Sequence, residues 1–237
     1  MSKRKILLLA TALCMVAILA VGGTLAYFTD NEQKNNVFTA GGIDIDLEEN
    51  FDNVTASELM PATGSAQNGT LANGVKKEVT IKNLKSDAYV RVHIAIPSVL
   101  DDGDPTFDAG KNVLHFNYEK DSIGAGKWDW SKNSEDGVYE GNWNFYTTKI
   151  GQVDYNVYVV TYDSVLKNGE STVKAIHQVY LDSKVTQGDV AKINNQIGTQ
   201  WQIKVLAEAG QAAGFTNPFT ALNTQFGVPG SYNPWAE

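Results

Sequence analysis

The chain has 237 residues, 43% of them hydrophobic and 19% charged, which is the composition of an ordinary globular protein. It carries 19 basic residues against 27 acidic ones, and three of the basic ones, Lys3, Arg4 and Lys5, precede the first acid, Asp30; beyond them 16 basic residues face 27 acidic ones. Such acidity excludes nucleic acid and anionic membrane surfaces as partners. The single cysteine, Cys14, sits in the apolar leader and leaves none for disulfides, Cys-ligated zinc, iron–sulfur clusters or thiol catalysis.

The leader is the strongest signal. Lys3-Arg4-Lys5 forms a basic start, and Ile6 to Val21 is an uncharged, almost wholly apolar run of sixteen residues. Gly22-Gly23 breaks it, and Thr24 and Ala26 put small residues at the −3 and −1 sites. The pattern predicts a signal-peptide helix over 1–26, cut between Ala26 and Tyr27. The expected mature protein is secreted to the extracellular matrix or cell surface, and meets the membrane only through its uncleaved leader.

Beyond the leader, residues 27–40 are polar except for Tyr27, Phe28, Val37 and Phe38. Alternation then begins. Ile43, Ile45 and Leu47 alternate with Asp44, Asp46 and Glu48, the period of a half-buried strand. Residues 49–74 are rich in Asn, Gly, Ser and Thr and predict a long loop. Strands are expected over 76–83 and 89–96, the second presenting Val90, Val92, Ile94 and Ile96 on one face and Tyr89, Arg91, His93 and Ala95 on the other. Further strands are expected at 113–118, 143–148, 153–162, 172–181 and 201–209. One short helix falls within 188–197. Another starts with Asn217 as its cap and Pro218 in its first turn, and Gly227 stops it. With 21 glycines and no regular strand–helix alternation, the fold class is all-β: an antiparallel β-sandwich with a few short helices. Residues 41–237 read as one sandwich domain with an insertion around 101–142.

The junction Gly22-Gly23-Thr24-Leu25-Ala26-Tyr27-Phe28-Thr29-Asp30, followed by Asn36-Val37-Phe38-Thr39-Ala40-Gly41, resembles the TasA/camelysin family. Residues 77–92, from Lys77-Glu-Val-Thr-Ile-Lys-Asn83 to Asp87-Ala-Tyr-Val-Arg-Val92, resemble it too, as does Ile203-Lys-Val-Leu-Ala-Glu-Ala209. The resemblance implies a jelly-roll-like sandwich whose leader is removed by a dedicated signal peptidase of the endoplasmic-reticulum type. It also implies self-association into head-to-tail fibres of a biofilm matrix. The segment freed by cleavage would serve as donor strand through Tyr27, Phe28, Val37 and Phe38, with the need for an accessory matrix protein left open. A terminal segment of this kind suits an unpaired sheet edge, and a head-to-tail contact does not close.

Camelysins have been classed as zinc metalloproteases, so the histidines bear on function. His93, His115 and His177 each fall in a predicted strand, without an HExxH helix or a second ligand at helical spacing. Neither a nucleophile elbow nor a phosphate loop occurs. The reading is of no catalytic residues, no metal and no cofactor. Asp101, Asp102, Asp104 and Asp108 surround a glycine as calcium ligands do, but not at EF-hand spacing, which favours a solvated turn. Trp128, Trp130, Trp143, Tyr139 and Tyr146 form an aromatic cluster. Exposed, these rings would stack on sugars and make an adhesive, carbohydrate-binding surface; buried, they would form a second small core. Three function classes stand: a fibre-forming matrix protein first, a carbohydrate-binding or adhesive protein second, a secreted metalloprotease third.

Overall fold

The structure, a computed structural model, describes residues 36–37, 42–51, 59–62, 70–101, 113–130 and 144–236. The strands among them are β1 (Asn36–Val37), β2 (Ile45–Phe51), β3 (Pro61–Ala62), β4 (Val75–Asn83), β5 (Ala88–Pro97), β6 (Leu114–Asn117), β7 (Trp128–Asp129), β8 (Asn144–Ile150), β9 (Val153–Tyr162), β10 (Gln178–Asp182) and β11 (Lys204–Gln211). Two helices join them, α1 (Gln187–Ile197) and α2 (Pro218–Phe226). The order β1-β11-β5-β9-β7 makes the first sheet, with β8 also on β9; β2-β4-β10-β3 makes the second, with β6 also on β10. Pairing is antiparallel except for β1 on β11 and β3 on β10. This is the all-β sandwich that the alternation predicted.

The core lies between the sheets. Ile45 and Leu47 of β2, Val79 and Ile81 of β4, and Val179 and Leu181 of β10 meet Val90, Val92, Ile94 and Ile96 of β5 and Val205, Ala207 and Ala209 of β11. Every other residue of these strands points to this layer, as a period of two requires. The first sheet is buried on its outer face as well. All ten residues of β5 are buried, so its second face, Tyr89, Arg91, His93 and Ala95, is also inside. α2 and the segment behind it cover that face: Tyr89 packs with Ala221 and Leu222, and Trp235 against Ala95, Tyr155 and Val157.

Local chemistry sets the boundaries. α1 begins one residue before the predicted window because Thr186 and Asp189 form a reciprocal capping box. α2 matches its predicted limits: Asn217 Oδ1 accepts from Thr220 N at 3.0 Å, and Gly227 leaves the helix at φ +100°. The strand predicted over 172–181 is regular only from Gln178. Thr172 Oγ1 accepts the Ile81 N–H at 3.0 Å, and this side-chain bond stands where a ladder carbonyl would, so residues 172–177 follow β4 irregularly. The strand predicted from Trp201 begins at Lys204, and the Trp201 indole instead donates to Asn194 of α1. The predicted loop 49–74 gives residues to β2 and contains β3. Among the described residues no helix is long and apolar enough to cross a membrane.

Candidate functional site

Two features of the first sheet stand out. The first is its β11 edge. Among the described residues, Asn36 and Val37 pair in parallel with Ala207 and Glu208 on the outer side of the eight-residue β11. β1 also lies alongside β2, the edge strand of the second sheet, at the seam between the two sheets. Of the expected donor residues Tyr27, Phe28, Val37 and Phe38, Val37 lies among the described residues, and its backbone pairs within its own chain; Ala26, Tyr27, Phe28 and Phe38 lie outside them.

The second feature is a buried polar cluster on the outer face of the same sheet. Arg91 of β5 stands opposite Glu208 of β11, and Arg91 Nε donates to Glu208 Oε2 at 2.5 Å. The guanidinium also donates to Asn223 Oδ1 at 2.9 Å, to the Gly227 carbonyl at 3.1 Å and to the Tyr232 hydroxyl at 2.7 Å. Tyr232 in turn donates to Glu208, its oxygen lying 2.6 and 2.7 Å from the two carboxylate oxygens. His93 Nε2 lies 3.1 Å from Glu208 Oε2 and Nδ1 lies 3.0 Å from the Tyr146 hydroxyl. Trp235 Nε1 donates to that hydroxyl at 3.0 Å. Arg91 is 1% exposed, and His93 and Glu208 are 0% exposed.

The electrostatics are self-consistent. Burial pushes the Glu208 carboxyl up, but the His93 hydrogen bond, the Arg91 charge and the Tyr232 hydroxyl overcome it and hold it at about 2. Burial pulls His93 below its ordinary value, so the imidazole is neutral. The partners fix its tautomer: Nε2–H faces the carboxylate and Nδ1 accepts from Tyr146. One cation and one anion therefore lie buried together, with each donor matched to an acceptor. The cluster contains neither a nucleophile nor an open face for a substrate among the described residues. It joins β5, β11, β8 and the chain after α2.

The other candidates disperse. His115 Nε2 lies 2.9 Å from Asp182 Oδ2, and His177 Nδ1 lies 3.5 Å from Glu119. Each histidine thus faces a different carboxylate. Trp128 and Trp130, 0% and 1% exposed, belong to the core between the sheets rather than to a second small one. Trp130 stacks on Phe116, and Trp128 donates to the Val173 carbonyl at 2.7 Å. Rings so placed are not offered to a sugar; Trp143 and Tyr139 lie outside the described residues, and Tyr146 belongs to the polar cluster. Asp101 is not part of a solvated turn: it is buried, and its Oδ2 accepts from Tyr158 Oη at 2.8 Å and Asn156 Nδ2 at 3.1 Å. Asp102, Asp104 and Asp108 lie outside the described residues.

Fold and site together define a two-sheet β-sandwich whose N-terminal strand sits on the sheet edge where the last strand of the chain is added. Residues 2–98 match the family model described as camelysin metallo-endopeptidase, a family that includes TasA-like proteins. The match covers the N-terminal part of the chain, and the family is one associated with exported proteins. No curated protein matches it.

The family description implies a metal, and the residues can be tested against it. Both nitrogens of His93 are engaged, by Tyr146 and by Glu208. Among the described residues no group of three or more His, Cys, Asp or Glu side chains is placed to hold a metal ion. The described donor set therefore does not fit a catalytic zinc centre, which takes three protein ligands and an open position.

Sequence reasoning missed the Arg91–Glu208 cluster, although both residues were in view. Each lies in one of the two internal stretches that carry the family resemblance, and each puts a charge in the middle of a largely apolar β-strand. That charge placement was the available signal.

Proposed function

We propose that this protein is an exported structural protein, not a peptidase, and that its mature form assembles head to tail into extracellular fibres. The N-terminal segment of one subunit serves as donor strand for the β11 edge of the next. The observation that carries this reading is the parallel pairing of Asn36–Val37 with Ala207–Glu208 at the seam between the sheets. A segment entering after the leader junction occupies an edge position there.

A strand edge is a template for main-chain hydrogen bonding. The same segment of a neighbour can take the position, with Tyr27 and Phe28 reaching further along it. In an extended chain Phe28 lies at most about 30–35 Å from Val37, enough to reach into a second subunit. Exchange of an identical element between subunits is an inexpensive route to assembly, and a head-to-tail repeat grows a filament. Leader removal would gate the process by freeing the segment. Signal peptidase and other copies of this chain are the partners proposed, with an accessory matrix protein as a further component to be tested.

The test is electron microscopy of the purified mature protein with and without residues 27–40, alongside Phe28→Asp. Filaments are expected from the intact chain alone, with both variants folded by circular dichroism. Filaments of wild-type abundance from the variants would remove the donor role.

A further inference from the structure

After α2 runs a strap, residues 227–235, whose polar contacts converge on the outer face of the first sheet. Tyr232 reaches both carboxylate oxygens of Glu208 on β11, the Gly227 carbonyl accepts a hydrogen bond from Arg91 on β5, and Trp235 donates to Tyr146 on β8, the hydroxyl beside His93. The strap is shaped for this course. Gly230 has φ +87°, and a Cβ there would lie 2.9 Å from the Tyr146 Cβ, so only glycine lets the strap run this close to β8.

Glu208 is the joint. Its side chain is the anchor of the strap, and its backbone stands in register with Val37 of β1. β11 is therefore held on one flank by β5, on its outer face through the strap, and at its edge by the N-terminal segment. We propose that the strap is a latch: its docking on Arg91 and Glu208 holds β11 in the conformation that accepts an N-terminal strand, so that strap docking and strand pairing favour each other.

The physical reason lies in the buried pair. With the strap away, Arg91 loses its bonds to Tyr232 and Gly227, and Glu208 loses a charge-assisted donor. Water then reaches a strand that was sealed, and the ladder between β5 and β11 opens more readily at Arg91–Glu208. A strand that frays is a poorer partner for Val37. Linkage makes the effect reciprocal: a segment paired at Ala207–Glu208 also slows strap release. The bearing of the latch on assembly rests on the reading of β11 as the acceptor edge, whereas its effect within one chain does not.

The test is hydrogen exchange followed by mass spectrometry on the mature chain carrying Tyr232→Phe. This change removes one hydroxyl and leaves the ring. A comparison variant, Phe116→Leu on β6, lowers stability from the second sheet, and urea is added to match the two in overall stability. Peptides containing Val205–Gly210 and those containing Asn36 and Val37 are expected to exchange about 10-fold faster in Tyr232→Phe than in the comparison variant. Deleting residues 27–40 is expected to speed exchange at Ser231–Trp235 in return. Equal exchange in the two stability-matched variants, or a strap indifferent to the deletion, would overturn the coupling. Seeded elongation then separates the two readings. Slower growth from Tyr232→Phe monomers on wild-type seeds supports both, while a wild-type chain that never elongates defeats the acceptor reading and leaves the exchange result to decide the latch.

Discussion

Replacing Glu208 by glutamine keeps the shape of the side chain and removes its charge, leaving the Arg91 guanidinium buried without a counter-ion. Breaking a buried ion pair by removing one partner costs about 3–5 kcal/mol. The same surroundings hold the folded carboxyl down, from 4.5 in the unfolded chain to about 2. The burial of Glu208, at 0% exposure, means that solvent screening takes little from that cost. For a domain of this size the loss corresponds to a fall in Tm of about 6–12 °C.

The pH dependence adds a check that a packing defect would not reproduce. Because the folded carboxyl is depressed, the unfolded chain binds the proton first as pH falls. The stabilisation is complete above about 4.5 and is lost down to about 2. His93, held neutral by burial, acts in the same direction from 6.5 downward, since only the unfolded imidazole protonates readily. Urea unfolding of the mature chain at several pH values should show wild-type stability falling below about pH 6.5 and steeply below 4.5. Glu208→Gln should lower the curve at neutral pH and flatten the limb below 4.5. A loss under about 1 kcal/mol at neutral pH, or an unchanged acid limb, would refute the assigned role of the pair.

Mass spectrometry of the secreted protein should find Tyr27, or a residue next to it, at the new N-terminus; Met1 on membrane-embedded protein would contradict the leader reading. Gly230→Ala should cost about 1–3 kcal/mol in denaturant unfolding, from its left-handed φ and the approach to Tyr146, and an unaffected midpoint would count against the close fit of the strap. Purified protein should show no casein-degrading activity; an activity lost on chelation and in His93→Ala, His115→Ala or His177→Ala would overturn the non-catalytic reading.

The strands with clean alternation were legible from the residues. β4, β5 and β9 came out close to their limits, and α2 to the residue, because an Asn cap, a proline in the first turn and a terminal glycine act locally. The irregular start of β10 was not legible, since it depends on the Thr172 hydroxyl finding the Ile81 N–H, a partner 91 positions away. The same holds more strongly for the polar cluster. Arg91 and Glu208 are 117 positions apart, and alternation assigns each to the face away from the core. Ordinarily that face is wet. Here α2 and the strap cover it, and nothing in the strand pattern of β5 or β11 announces a cover supplied by the last 20 residues. Trp128 and Trp130 illustrate the converse: the sequence favoured burial for them, in a second small core, and the pairing of β7 on β9 puts them in the main one.

The parallel pairing of β1 with β11 also has a consequence in time. Asn36 and Val37 wait for β11, because their partner residues, Ala207 and Glu208, leave the ribosome about 170 residues later. At about 5–20 residues per second, the stretch between Val37 and Lys204 takes roughly 8–33 s to synthesise. Throughout that interval the N-terminal segment has no edge to join, whereas β2 and β4 already have each other. Any event on the segment during synthesis, proteolytic processing included, therefore meets it before its edge exists.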